Sequence, residues 1–326
     1  MITDHLRRVE IAHLPTPLEP LPRLSAQLDG PELWIKRDDQ TGLATGGNKT
    51  RKLEFLVADA LAQQADTLVT CGAAQSNHAR QTAAAAATFG LDRVLVLGNH
   101  TSTPAAVQGN LFLDHLLGAE IVWTGDEPPH EHLDAVARDL VDDGRRPYVI
   151  PYGGSNRVGV SGYVAAIQEL LSQCEERDLS FDHIVFATSS GGTQAGLALG
   201  ARALGYEGTI LGISVAPEAA ALKHELVDLA RSTADHLELD LAFEPNDFTV
   251  NDDYVGGGYG VVGELERDAI RTVARADGIL LDPVYTGRAF GGLLDLIRRA
   301  KFDASEKVLF WHTGGTSGLF AYAESL

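Results

Sequence analysis

The stretch GGNKTRKLEF, residues 46–55, sets two glycines and an asparagine ahead of a lysine that opens a helical pattern. A cation at that end opposes the helix macrodipole, so charge balance does not account for Lys49. Burial and the positive end of the dipole both depress an ammonium's pKa and leave a free amine that serves as nucleophile and base. An amine so placed gains by forming a Schiff base with an aldehyde. Lys52, one helical turn on, can turn its ammonium toward a phosphate. Alone, a GNK triplet reads more plainly as a helix start with solvated lysines, so the rest of the chain has to supply the remainder of a site.

Four further glycine-rich loops do so. SSGGTQAG (189–196) follows the apolar run HIVFATS, and its glycines turn backbone N–H groups toward one point at a helix start, a cup for a phosphate. It has neither the GxxxxGK[ST] pattern of a P-loop nor the GxGxxG spacing of a dinucleotide site, so a single terminal phosphate fits better than ATP or NAD. In CGAAQSNH (71–78), Ser76 is of the type that caps a helix, and capping alone explains it. The same hydroxyl and the free N–H groups of the helix start suit a substrate carboxylate. YGGSN (152–156) and HTGGTSG (312–318) complete the set. A single loop of this kind is an ordinary turn or C-cap, whereas five at one sheet edge point to a ligand.

The elements that must position these loops are short β-branched runs alternating with helical patterns. Strands are expected at 33–37, 67–70, 93–97, 121–124, 148–151, 183–187, 209–215 and 307–312, with helices at 51–62, 77–89, 107–117, 132–142 and 157–171 among others. That alternation predicts an α/β fold of βαβ units with open, twisted, mostly parallel sheets, and functional loops at the carboxyl ends of the strands. Four of the five glycine loops directly follow an expected strand, and TGGNK (45–49) comes a few residues after one.

With 326 residues, 44% of them apolar, the chain can build two lobes around a cleft or one large α/β domain. Its net charge of -19 argues against nucleic-acid partners. Only six lysines occur, so each invites a reason. Two cysteines and scattered histidines make no disulfide framework or metal motif, and no metal is expected. No apolar run approaches the ~20 residues of a membrane span, and the first residues lack the apolar segment of a signal peptide. A cytoplasmic enzyme is therefore expected.

GGNKTRKLEF, QSNHARQTAA, GGSN, SGGTQAGLA, GGGYG, LLDPVYTGRAFGGL and FWHTGGTSGLFAY, in this order, resemble the D-cysteine desulfhydrase and 1-aminocyclopropane-1-carboxylate (ACC) deaminase family over residues 11 to 322. The resemblance implies a fold like the tryptophan synthase β-subunit (fold type II of pyridoxal-phosphate enzymes), usually a homodimer. Residues 1–48 with 160–326 would form the large cofactor-binding domain and 49–159 a small mobile one. By the same resemblance Lys49 would bond pyridoxal 5'-phosphate covalently and serve as base, and Asn77 would lie beside the pyridine ring. Lys52 with Ser190, Gly191, Gly192 and Thr193 would hold the phosphate. Ser76, Asn77 and His78 would surround the substrate carboxylate, and Tyr259 and Tyr285 would reach the substrate, with Ser76 and both tyrosines as catalytic candidates. Either tyrosine is also readable as a core aromatic with a satisfied hydroxyl, Tyr259 the more so.

Thr286 follows Tyr285 in DPVYT, at the position expected to contact the pyridine nitrogen, where ACC deaminases resemble one another in carrying glutamate. A carboxylate keeps that nitrogen protonated and the ring a strong electron sink, which suits opening a cyclopropane. A hydroxyl leaves a weaker sink, sufficient for β-elimination of a good leaving group. His78, where ACC deaminases typically carry glutamine, points the same way. D-cysteine is accordingly ranked first as the small amino-acid substrate, L-cysteate second and ACC third. A sulfonate would want Arg157, Arg288 or Thr316 nearby. A racemase or synthase on the same scaffold, and a non-catalytic amino-acid sensor, are the competing classes.

Overall fold

The computed structural model describes residues 2–98 and 107–326. In chain order the elements are β1 (Leu18–Pro20), α1 (Pro22–Leu28), β2 (Glu32–Arg37), α2 (Lys49–Ala62), β3 (Thr67–Ala73), α3 (Asn77–Thr88), β4 (Asp92–Gly98) and α4 (Gly109–Leu116). There follow β5 (Glu120–Trp123), α5 (Leu133–Asp142), β6 (Pro147–Ile150), α6 (Arg157–Glu176), β7 (His183–Thr188), α7 (Gly192–Leu204) and β8 (Thr209–Ser214). The chain finishes with α8 (Ala219–His236), β9 (Thr249–Asn251), α9 (Glu264–Asp277), α10 (Thr286–Arg298), β10 (Lys307–His312) and α11 (Thr316–Ala321). Each of the eight expected strands is present within a few residues of its expected bounds. The unforeseen strands, β1 and β9, are three residues each and lie at sheet edges, too short for a period-two pattern.

Two sheets result. The larger runs β1-β2-β10-β7-β8-β9 and is parallel except for the β1–β2 pair. The smaller, β5-β4-β3-β6, is wholly parallel. Parallel strands are covered on both faces, and the side chains divide accordingly. Val308 and Phe310 of β10 join one core with Val185 of β7, while Leu309 and Trp311 join the opposite core with Ile184 and Phe186. In the smaller sheet Leu95 and Leu97 face one way, and Val94 and Val96 the other. Among the described residues no helix is long and apolar enough to cross a membrane.

Helix α2 is shared between the two halves. Its Leu53, Leu56, Val57 and Ala60 pack with Leu68, Ala85 and Ile150 around the smaller sheet. Another face meets α6 so closely that a Cβ on Gly162 would lie 2.4 Å from the Arg51 carbonyl oxygen. There Arg51, 2% exposed, enters a buried ionic cluster. It donates to Asp38 at 2.8 and 2.9 Å and to Glu169 at 2.9 Å. Lys36 donates to Glu169 at 2.5 Å, and Tyr163 and Trp311 donate to Asp38 at 2.6 and 2.8 Å. Burial pushes the Asp38 carboxyl upward, but Arg51, with Lys36 and the Tyr163 hydroxyl, more than reverses this and holds it below the usual range. The cluster fixes the first turn of α2, and hence Lys49, against β2, α6 and β10.

Candidate active site

The five glycine loops do meet. One pocket, with about 600 Å³ of free space counting its mouth, is lined by Asn48, Lys49, Ser76, Asn77 and His78, by Ser190, Gly191 and Thr193, and by Tyr285. Tyr152, Gly153, Thr188, Ser189, Thr313 and Gly314 complete much of its wall. These residues come from the start of α2, from the loops after β3, β6, β7 and β10, and, for Tyr285, from the turn that opens α10. In the smaller sheet, β4 and β5 lie to one side of β3 and β6 to the other, so the loops after β3 and β6 flank a topological switch point.

Lys49 is partly buried on the first turn of α2, and desolvation lowers its pKa to about 8, partly offset by a hydrogen bond with Lys52. Lys52 is 1% exposed and is depressed well below the usual lysine value, by burial first and then by Lys49's charge. Its ammonium donates to the Gly153 carbonyl at 3.1 Å and the Ser155 hydroxyl at 3.3 Å. Gly192 sits so close that a Cβ there would lie 2.6 Å from Lys52 Nζ. Ser155 Oγ also accepts from the Gly192 amide at 3.2 Å and meets Ser190 Oγ at 2.8 Å. Two ammoniums and a helix start converge here, yet the pocket lining carries no carboxylate among the described residues. The missing counter-charge is what a phosphate provides.

Ser76 caps α3, accepting from the Ala79 amide at 3.1 Å. Asn77 Oδ1 accepts from Asn110 Nδ2 at 2.8 Å, and the same amide donates to the Gln75 carbonyl at 2.9 Å. Asn110, fully buried on α4, therefore sets the direction of Asn77. His78 packs against Thr70 at 2.8 Å. The Thr70 hydroxyl spends its only proton on the Ile150 carbonyl, so His78 Nε2 is the donor of that pair. Burial, then the charges of Lys49 and Lys52, hold His78 well below its usual pKa, and it is a neutral imidazole rather than a cation.

Tyr259 and Tyr285 meet hydroxyl to hydroxyl at 2.5 Å, their rings edge-on. Burial, together with the charge each would place on the other, drives Tyr285 well above its usual pKa; Tyr259 is raised likewise, by burial and by Tyr152. Both are protonated donors. Thr286, expected beside the pyridine nitrogen, is buried at the start of α10 and bonded to Asp282. Asp282 accepts from the amides of Val284, Tyr285 and Thr286 at 2.8–2.9 Å, capping α10. The Thr286 hydroxyl turns back to donate to Asp282 at 2.8 Å and accept from its amide at 2.8 Å. Thr286 is fully buried and lines none of the pocket; Thr313, at the end of β10, lines it instead.

Thr316 opens α11 outside the lining. Arg288 is committed to Glu266 at 2.6 Å and to the carbonyls of Val215, Gly258 and Val261, bracing the loop that carries Tyr259. Arg157 is exposed at the start of α6, away from the pocket. Sequence alone gave Thr313, Asn110 and Tyr152 no role. Thr313 and Tyr152 stand inside glycine loops that do stand out in the sequence, whereas nothing in the local sequence marks Asn110.

The model of a family described as pyridoxal-phosphate dependent enzymes matches residues 9–314. The chain belongs to that family. D-cysteine desulfhydrase of Klebsiella pneumoniae (strain 342) is 46% identical to it over 319 residues, 97% of this chain and 96% of that protein. The crystal structure of an ACC deaminase homologue aligns with a TM-score of 0.91 at 40% identity, over 99% of this chain and 96% of that one. Threonine deaminase isoform 2 from Solanum lycopersicum aligns at a TM-score of 0.64 and 18% identity, over 92% of this chain and 79% of that one, a likeness of fold. The fold is thus the type II pyridoxal-phosphate fold that the motifs implied. The donor set suits the cofactor, with a depressed amine for its aldehyde and buried cationic donors for its phosphate.

Proposed function

We propose that this enzyme eliminates the β-substituent of D-cysteine, releasing sulfide and leaving pyruvate and ammonia once water has added. One observation carries the reading. Among the described residues, the wall around Lys49 offers protonated hydroxyls, Tyr285 (held from behind by Tyr259) and Thr313, and no carboxylate. Pyridoxal phosphate, when bound, supplies an aldehyde for the substrate amine and a conjugated ring for the electron pair left at Cα. Lys52, with Ser190 to Thr193, holds the phosphate. Ser76 and Asn77 receive the substrate carboxylate, with Asn110 keeping Asn77 oriented and neutral His78 backing them. Lys49 Nζ takes the Cα proton, a role its lowered pKa suits near neutrality. The Tyr285 hydroxyl, held by Tyr259, gives a proton to the departing sulfur. Thr313 is a neutral neighbour for the cofactor ring, which favours elimination of a good leaving group over ring opening.

The resemblance and the 46% identical relative support the same reading. A sulfonate substrate is disfavoured because Arg288 is buried and already makes four hydrogen bonds to Glu266 and three carbonyls, and Arg157 lies outside. The reading further takes residues 49–159 as the mobile domain, supported by a separate sheet within residues 67–150, and the protein as a cytosolic homodimer. Its net charge of -19 is unsuited to nucleic acid.

The test is a comparison of D-cysteine, L-cysteine, L-cysteate and ACC with the purified holoenzyme, reading pyruvate, 2-oxobutyrate, sulfide and sulfite together. Sulfide and pyruvate from D-cysteine are expected, falling by about 10²–10⁴-fold or more in Lys49→Ala. A dominant yield of sulfite from cysteate, or of 2-oxobutyrate from ACC, would overturn the assignment.

A further inference from the structure

Tyr152 is unexplained by the chemistry above. It stands at the end of β6, immediately before Gly153 and Gly154, whose φ values of 66° and 61° bend the loop over the pocket. A Cβ on Gly153 would lie 2.2 Å from Ser190 Oγ and 3.5 Å from Lys49 Nζ, so this loop runs tight against Ser190 and beside the Lys49 amine. The Tyr152 hydroxyl points inward, toward Ser189 and toward the Tyr259 and Tyr285 hydroxyls. The residue nevertheless keeps 38% of its surface exposed. A side chain with its tip enclosed and its flank exposed is a partition. On the far side lies a second cavity, with about 1560 Å³ of free space counting its mouth. Tyr152, Ser189 and Ser190 line both spaces. The outer cavity has a mostly apolar wall, from Ala73, Pro128, Pro129, Ala216 and Pro217, with Asp126, His130 and Glu225 also lining it.

We propose that Tyr152 sets the upper size of the substrate's β-substituent, by walling the catalytic pocket off from this outer apolar cavity. The hydroxyl cluster seats the partition, and the ring does the excluding. With the ring in place a thiol fits beside Tyr285. With it removed, the two spaces merge and β-substituted amino acids with alkyl or aryl thioether groups gain an apolar berth. The inference rests on the proposed β-elimination for its substrates, but the wall itself concerns size.

The test uses wild-type, Tyr152→Phe and Tyr152→Ala holoenzymes. One readout is kcat/KM for pyruvate release from D-cysteine, S-methyl-D-cysteine and S-benzyl-D-cysteine. The other is the dissociation constant of D-alanine and D-phenylalanine, read from the cofactor's absorbance. In Tyr152→Ala the ratio of large to small probe should rise by about 10-fold or more in both readouts, the scale of a newly opened apolar contact. Tyr152→Phe keeps the ring, and should keep the wild-type ratio even where its absolute rate falls. An unchanged ratio in Tyr152→Ala, or an equal rise in Tyr152→Phe, would overturn the proposal. If the binding ratio shifts while wild type releases no pyruvate from D-cysteine, the wall stands and the assigned reaction fails. Turnover of D-cysteine with an unmoved ratio would sustain the reaction and remove the wall.

Discussion

Helix α2 presents buried cations on two faces, and their company differs. Arg51 meets Asp38 and Glu169, whereas Lys49 and Lys52, two residues before it and one after, meet hydroxyls, a carbonyl and each other. Arg51 is accordingly raised well above its usual pKa while both lysines are lowered. Burial acts against the charge in every case, and the carboxylates decide the outcome. One face is complete within the chain. The other is left uncompensated, and in the proposed reading that unmet charge recruits the cofactor's phosphate and leaves an amine ready to react.

Breaking the complete face should have the largest effect. Asp38→Asn leaves Arg51 only the carboxylate it shares with Lys36, removes the charged acceptor of Tyr163 and Trp311, and should destabilise the fold by about 3–5 kcal/mol, read from urea unfolding midpoints. Lys52→Met removes an uncompensated charge, so the apoprotein should be no less stable than wild type by the same measure. Its affinity for pyridoxal phosphate should instead fall by about 10–100-fold, the loss of one charge-assisted contact, read by absorbance titration. A loss of apoprotein stability comparable with that of Asp38→Asn would erase the distinction between the two faces.

A smaller effect should come from pH. Between about 8 and the ordinary lysine value of 10.5, the unfolded chain holds a proton on Lys49 that the folded chain has released. Stability from this group therefore rises with pH through that window, its penalty being fully present below about pH 8. Thermal midpoints of the wild-type apoprotein should gain on those of Lys49→Met between pH 7.5 and pH 10. A constant difference would mean that Lys49 is not depressed by burial.

Much of this was readable from the sequence. Strands buried on both faces announce themselves as apolar runs, and the glycine loops mark their carboxyl ends, so the ring of elements around Lys49 was expected. What went unread depends on where side chains point. Thr286 follows Tyr285 directly, yet the first turn of α10 carries its hydroxyl back to Asp282. Tyr152 acts across the cleft on residues more than a hundred positions away. Asn110 follows residues 99–106, outside the described part of the chain, and reaches Asn77 only because α4 packs on α3. Arg288, a candidate for sulfonate binding, belongs to the scaffold, which its type alone could not reveal.

Strand β10 is the last in the chain yet pairs with both β2 and β7 in the middle of the larger sheet. During synthesis the smaller sheet has all its strands once residue 150 has emerged, whereas the larger one lacks a central strand until residue 312. Thr313 and Gly314 arrive later still, and they close the pocket. The order of translation thus makes cofactor capture a late event, postponed until the contacts of longest sequence separation have formed. Between the emergence of Lys49 and that of Gly314, a nascent chain lacks the full enclosure around this amine.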